Sequence, residues 1–263
     1  MSGITLSRFP ENTHSKYIEN MESLWEYCIE NSRKFHNLLL ITRDNKYSVL
    51  KFGFAHNRDV NIDEANNYEK ISKYKCTPKL LNKQVTELGS FFVMEFKQPH
   101  PLGANVKVAA PKLSSHDLKC ITKQVLDILL TLQQAFKGFK HNDLKADNVL
   151  LFDEGSPVVK FIDFESSYSS DESIVSGLFS SKNEEEFGLC KHPCPMFDFH
   201  LFTSDLCHYT NDAEFHAFFM RIFPDDYPLT SRGRLTSEAQ LVTKFKDLHT
   251  IKDDLYFLHE TTH

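Results

Sequence analysis

At 263 residues, with a formal net charge of −6, 41% hydrophobic and 25% charged residues, the chain has the composition of a globular protein of one large domain or two smaller units. The acidic balance argues against a basic nucleic-acid-binding face, and no apolar run approaches the ~18 residues a membrane helix needs. Met1-Ser2-Gly3-Ile4-Thr5 lacks the charged-then-apolar pattern of a secretory signal. Cys28, Cys76, Cys120, Cys190, Cys194 and Cys207 show no framework spacing and match no standard zinc module, which fits free thiols in a reducing intracellular compartment, cytoplasmic or nuclear.

Taken in order, residues 1–13 are polar and broken by Pro10, and read as a loose arm. Tyr17, Ile18, Met21, Leu24, Trp25, Cys28 and Ile29 then fall at helical spacing, which predicts a packing helix over residues 14–31, with a strand at 24–29 as the competitor. Apolar Leu38 to Ile41 and alternating Tyr47 to Phe52 flank Arg43-Asp44-Asn45-Lys46, a β-hairpin pattern. Residues 63–74 suit a helix, and Phe91 to Phe96 a strand. Pro99 to Pro111 is Pro-broken and lacks periodicity. Ser114 and Ser115 offer an N-cap for a long buried helix through Leu118, Ile121, Val125, Leu129 and Phe136, stopped by Gly138. Beyond it, residues 166–191 are rich in Ser, Glu and Gly, and helical patterns recur at 196–206, 213–222, 236–245 and 247–258.

The most informative stretch is His141-Asn142-Asp143-Leu144-Lys145-Ala146-Asp147-Asn148, followed by Val149 to Phe152, a turn at 153–157, and Val158 to Asp163. Phosphoryl transfer needs a carboxylate to orient the attacking hydroxyl and oxygen ligands for metal ions on the phosphates. Asp143 is the candidate carboxylate, Lys145 a cation for the migrating phosphoryl, and Asn148 and Asp163 the metal ligands. A hairpin of the two apolar runs brings Asn148 and Asp163 together.

This pattern resembles the protein kinase superfamily. His-x-Asp-x-Lys-x-x-Asn matches its catalytic loop, and Asp163-Phe164-Glu165 stands where the family has Asp-Phe-Gly. The resemblance covers roughly residues 35–210, and the trimmed C-lobe and missing signatures look similar to divergent kinases of large DNA viruses or bacterial effectors. It implies an α+β, bilobal protein-kinase-like fold with a small β-rich N-lobe and a mainly helical C-lobe. The boundaries expected are residues 1–34 for an N-terminal arm and packing helix, 35–97 for the N-lobe and 98–263 for a reduced C-lobe. It further implies ATP and Mg²⁺ as cofactors, a protein substrate, and Ser/Thr specificity, which Lys145 favours; a host-cell location is included.

By the same resemblance Lys51, in Val49-Leu50-Lys51, grips the α- and β-phosphates. Glu64 (with Glu69 as rival) is its partner, Met94 stands at the gatekeeper position, and backbone groups of Glu95 and Lys97 contact adenine. Asp198 sits where the family braces the catalytic loop, with a plain N-cap as the alternative. Residues 166–191 match an activation segment. The chain departs from the pattern in three places: no glycine lies between Gly3 and Gly53, Glu165 replaces glycine, and the Ala-Pro-Glu signature is missing. The expected function is an ATP-dependent Ser/Thr protein kinase. A pseudokinase scaffold and a small-molecule kinase are the alternatives.

Overall fold

A computed structural model describes residues 4–8, 13–18, 38–43, 46–54, 58–86, 89–96, 100–175, 196–222 and 247–258. Contacts divide the chain into two units, Met1–Pro99 and His100–His263. In the first, six strands make one antiparallel sheet: β1 (Ile4–Arg8), β2 (Thr13–Ile18), β3 (Leu38–Arg43), β4 (Lys46–Phe54), β5 (Leu80–Thr86) and β6 (Gly89–Phe96), in the order β2-β1-β3-β4-β6-β5. The expected hairpin is β3 and β4, paired from Leu38↔Lys51 to Arg43↔Lys46.

Two N-terminal expectations are corrected. Residues 4–8 are a strand and not a loose arm, and residues 13–18 are a strand where the start of a packing helix was expected. The physical reason is pairing. Ile4-Thr5-Leu6-Ser7 alternates apolar and polar residues, a strand period, and β1 satisfies its backbone groups against β2 on one side and β3 on the other. Tyr17 and Ile18 fit a helical stripe equally well, and nothing local distinguishes the two. Residues 19–37, which hold the rest of that expected helix and the competing strand at 24–29, lie outside the described residues.

Helix α1 (Arg58–Ile71) starts five residues before its expected beginning and runs into a 3-10 turn at Ser72–Tyr74. Glu64, Ala65, Tyr68 and Ile71 are buried, a spacing of 1, 4 and 7 that defines one face. That face packs on β4 and β6, with the Tyr68 ring 5.4 Å from Phe92.

In the second unit, residues 100–111 are not entirely irregular: a short helix α2 (Val106–Ala109) is capped by Asn105, whose side chain accepts from the Val108 amide. Helix α3 (Ser115–Ala135) begins at a capping box, in which Ser114 and Asp117 satisfy each other's backbone amides. Its apolar stripe, Leu118, Ile121, Val125, Leu126, Leu129 and Leu132, is buried, at about 1.5–3 kcal/mol of transfer free energy per large side chain. Gly138 ends the approach to the next loop at φ +65°, a region open to glycine.

The chain then enters the hairpin of β7 (Val149–Asp153) and β8 (Pro157–Phe161). Gln124 of α3 holds this hairpin by donating to the Pro157 carbonyl at 2.8 Å and accepting from the Val159 amide at 3.2 Å. Helices α4 (Phe197–Cys207) and α5 (Ala213–Ile222) follow. The expected last helix is two short ones, α6 (Leu248–Lys252), with Asp247 as N-cap, and α7 (Leu255–Leu258). Phe218 stacks on Tyr256 at 4.4 Å, with Phe215 and Phe257 around them. The helix expected at 236–245 lies outside the described residues.

Candidate active site

Within the first unit, β4 carries Lys51 and the buried face of α1 carries Glu64. Their side chains meet, Nζ to Oε2, at 2.7 Å, with 9% and 1% exposure. Burial strips both charges of water, so each depends on the other. The rival Glu69 is exposed and pairs instead with Lys83 at 2.9 Å. Met94 is buried in β6, opposite Val49 of β4 and Leu80 of β5. The Glu95 amide donates to the Lys79 carbonyl at 2.8 Å, and is thus committed to the sheet. Lys97 lies outside the described residues.

The second unit builds its constellation on the loop between α3 and β7. Asp143 is half-buried, and a single oxygen, Oδ2, receives Lys145 Nζ at 2.9 Å and Asn148 Nδ2 at 3.0 Å. Asn148 Nδ2 also donates to the Asp143 carbonyl at 2.8 Å. These contacts orient the Asn148 amide, with its oxygen directed away from Asp143. Burial raises the Asp143 carboxyl above its ordinary value, with Asp163 adding to the rise and Lys145 opposing it. Burial works against the Lys145 ammonium, but the Asp143 charge and hydrogen bond outweigh it and hold the lysine protonated.

Asp163 follows β8. The Ile162 amide donates to the Asn148 carbonyl at 3.0 Å, extending the hairpin ladder and placing Asp163 beside Asn148 in the chain's path. Asp163 has φ 70° and ψ 59°, left-handed backbone, which Asp tolerates better than most residues. Glu165 sits in the 3-10 turn Phe164–Ser166 and is not among the positive-φ residues, so that position has no need of glycine.

The loop backbone is braced from below. Asp198 accepts from the His141 amide (2.7 Å) and the Asn142 amide (2.8 Å). It lies one residue inside α4, whose N-cap is Met196, so its carboxylate serves the loop and not the helix end. These two bonds hold Asn142 at φ 64°. Its own amide donates to the Ser166 carbonyl at 2.8 Å. His141 is fully buried, contacts the Ile162 carbonyl through Nε2 at 2.9 Å, and lies 4.8 Å from the Phe164 ring. Burial pushes its pKa down, so it is neutral. Sequence motifs did not point to Asp205, which accepts from the Ala146 amide at 2.8 Å, or to Lys107, which pairs with Asp147 at 2.8 Å. The seven-residue interval from Asp198 to Asp205 was the available signal for the first.

Among the described cysteines, Cys76, Cys120 and Cys207 are not in disulfides. Cys190 and Cys194 lie outside the described residues, as does most of the expected activation segment, residues 176–191. Among the described residues no helix is long and apolar enough to cross a membrane.

No protein-family model matches the sequence, and no curated protein is similar to it. Among solved structures, the chain is similar to the Cydia pomonella granulovirus kinase PK-1, at 16% identity and a TM-score of 0.42. The similarity covers 57% of this chain and 60% of that kinase, so the chain spans less than two thirds of its length. The fold is α+β. An acidic and amide donor set of oxygen atoms, Asp163 and Asn148, suits a hard divalent cation such as Mg²⁺.

Proposed function

We propose that the chain is an ATP-dependent phosphotransferase acting on Ser/Thr hydroxyls of proteins. The observation that carries this reading is the Asp143 cluster. Lys145 and Asn148 both occupy Oδ2, which leaves Oδ1 for an incoming hydroxyl. The raised pKa brings the carboxyl closer to that of an effective proton acceptor. The hydroxyl oxygen attacks the γ-phosphorus as the bond to the β-phosphate oxygen breaks. ADP leaves, and the hydroxyl proton passes to Asp143. Lys145 steadies the charge on the transferring group. Asn148 and Asp163 would hold Mg²⁺, which neutralises phosphate charge when bound. In the first unit, Lys51, fixed by Glu64, is the proposed cation for the α- and β-phosphates, and Met94 with the backbone of Glu95 and Lys97 the proposed adenine contacts.

A second reading, a catalytically silent binding scaffold, is favoured by the sequence having no glycine between Gly3 and Gly53, since side chains keep backbone amides away from phosphates. Incubation with labelled ATP, Mg²⁺ and a generic protein substrate separates the two. Asp143→Asn is expected to lower turnover by about a hundredfold or more while keeping the thermal shift produced by Mg-ATP. Asp163→Ala is expected to lose that shift as well. Wild-type incorporation no greater than that of Asp143→Asn sinks the phosphotransfer reading.

A further inference from the structure

We propose that Asp205 is a positioning residue that sets the far end of the loop carrying Asp143 and Lys145. Asp198 and Asp205 are seven residues apart on α4. Seven residues fall about 20° short of two helical turns and rise about 10.5 Å, so the two carboxylates project from one face at a fixed interval. Both meet the same loop. Asp198 takes the amides of His141 and Asn142, before Asp143; Asp205 takes the amide of Ala146, directly after Lys145. The helix is therefore a rigid ruler that holds the loop on either side of its reactive residues.

The need for Asp205 follows from its partner. Ala146 is completely buried, and its N–H belongs to the first residue of the 3-10 turn Ala146–Asn148, where no helical carbonyl can accept it. Without Asp205 that donor is left to find a partner by moving the loop. Of the charged groups near Asp205, which include Lys107 and His208, Asp147 is paired with Lys107 at 2.8 Å, and Lys107 also lies 5.3 Å from the Tyr209 ring. Asp147 therefore has a partner of its own and does not compete for the Ala146 amide.

The effect on turnover rests on the phosphotransfer reading; the loop clamp does not, and the test separates them. Proline at 146 deletes the donor while suiting the backbone, because Lys145 is extended (φ −113°, ψ 168°) and residue 146 opens a helical turn. Asp205→Ala is expected to lower kcat by about ten- to hundredfold with little change in the KM for ATP. Asp205→Asn, which keeps an acceptor, should recover most of it. Whatever the turnover of Ala146→Pro, adding Asp205→Ala to it should lower kcat no further. An equal additional loss in that background overturns the proposal. Hydrogen exchange reads the clamp without catalysis: the Ala146 amide should lose protection in Asp205→Ala and keep it in Asp205→Asn. Undiminished protection in Asp205→Ala also overturns the proposal, even for a wild-type protein that proves inactive.

Discussion

Asn142 combines a left-handed backbone with a side-chain hydrogen bond to the segment after β8. Its left-handed backbone costs most residues about 1–2 kcal/mol, and Asn is among those that adopt it readily. Its side chain then donates to the Ser166 carbonyl, joining the loop at residues 141–148 to the segment after β8 through a neutral hydrogen bond. A kinase switched by phosphorylation of that segment needs a cation to receive the phosphate, because a charge-assisted pair supplies the ordering energy. Asn142 cannot provide one. Phosphotransfer is therefore expected to survive phosphatase treatment of the purified protein, measured as incorporation of label before and after. A preparation silenced by the phosphatase would contradict this and point to another cation as the receptor. Glu165 follows the same logic in reverse: the left-handed angle falls on Asp163, so a residue with a Cβ is accommodated two positions later.

Elements contribute by presenting a face. Helix α1 turns Glu64 toward Lys51 because its buried positions recur at helical spacing, and the resulting pair has lost its water. Removing one member takes this close partner from a buried charge, a change that typically destabilises by about 3–5 kcal/mol. Glu64→Ala is expected to lower the unfolding free energy from denaturant titration by that order, whereas Glu69→Ala, which disturbs the exposed Lys83 pair, should change it by under about 1 kcal/mol. Equal effects of the two would remove Glu64 from its special place. Helix α3 illustrates how far periodicity alone reaches. Its cap at Ser114, its buried stripe and its stop at Gly138 are all legible in the chain, since each depends on neighbours within a few residues.

At the level of the whole molecule, the buried histidines couple stability to pH. Burial takes His200 down to about 3, and lowers His141 in the same direction. Unfolded histidine titrates near 6.5, so below that pH the unfolded state binds more protons than the folded state. Stability present above pH ~6.5 is thus lost as pH falls toward the folded values. From pH 7 to 5 the His200 contribution alone is about 2 kcal/mol. Burial raises Asp143, Asp198 and Asp205, which has the opposite sign, since the folded state then binds more protons than the unfolded one above the ordinary carboxylate range. Chemical denaturation at pH 7 and pH 5 should show the loss, and His200→Gln should show a smaller one. An unchanged pH dependence in His200→Gln would assign the acid sensitivity elsewhere.

By itself the sequence determined the parts whose physics is local: the β3–β4 and β7–β8 hairpins, from apolar runs around turn residues, the α3 stripe, and the order of Asp143, Lys145, Asn148 and Asp163 along the chain. The choice between Glu64 and Glu69 was also readable, from which one shares a face with Tyr68 and Ile71. Tertiary structure decided the rest. Ile4–Arg8 became a strand because β3, more than twenty positions away, offers it an edge, and Thr13–Ile18 pairs in turn with the other edge of β1. Asp198 and Asp205 acquired their loop partners only when α4 came against residues 141–146, across more than fifty residues. A carboxylate's type and spacing can be read from sequence; the amide that it will accept from depends on which backbone folding leaves without a partner.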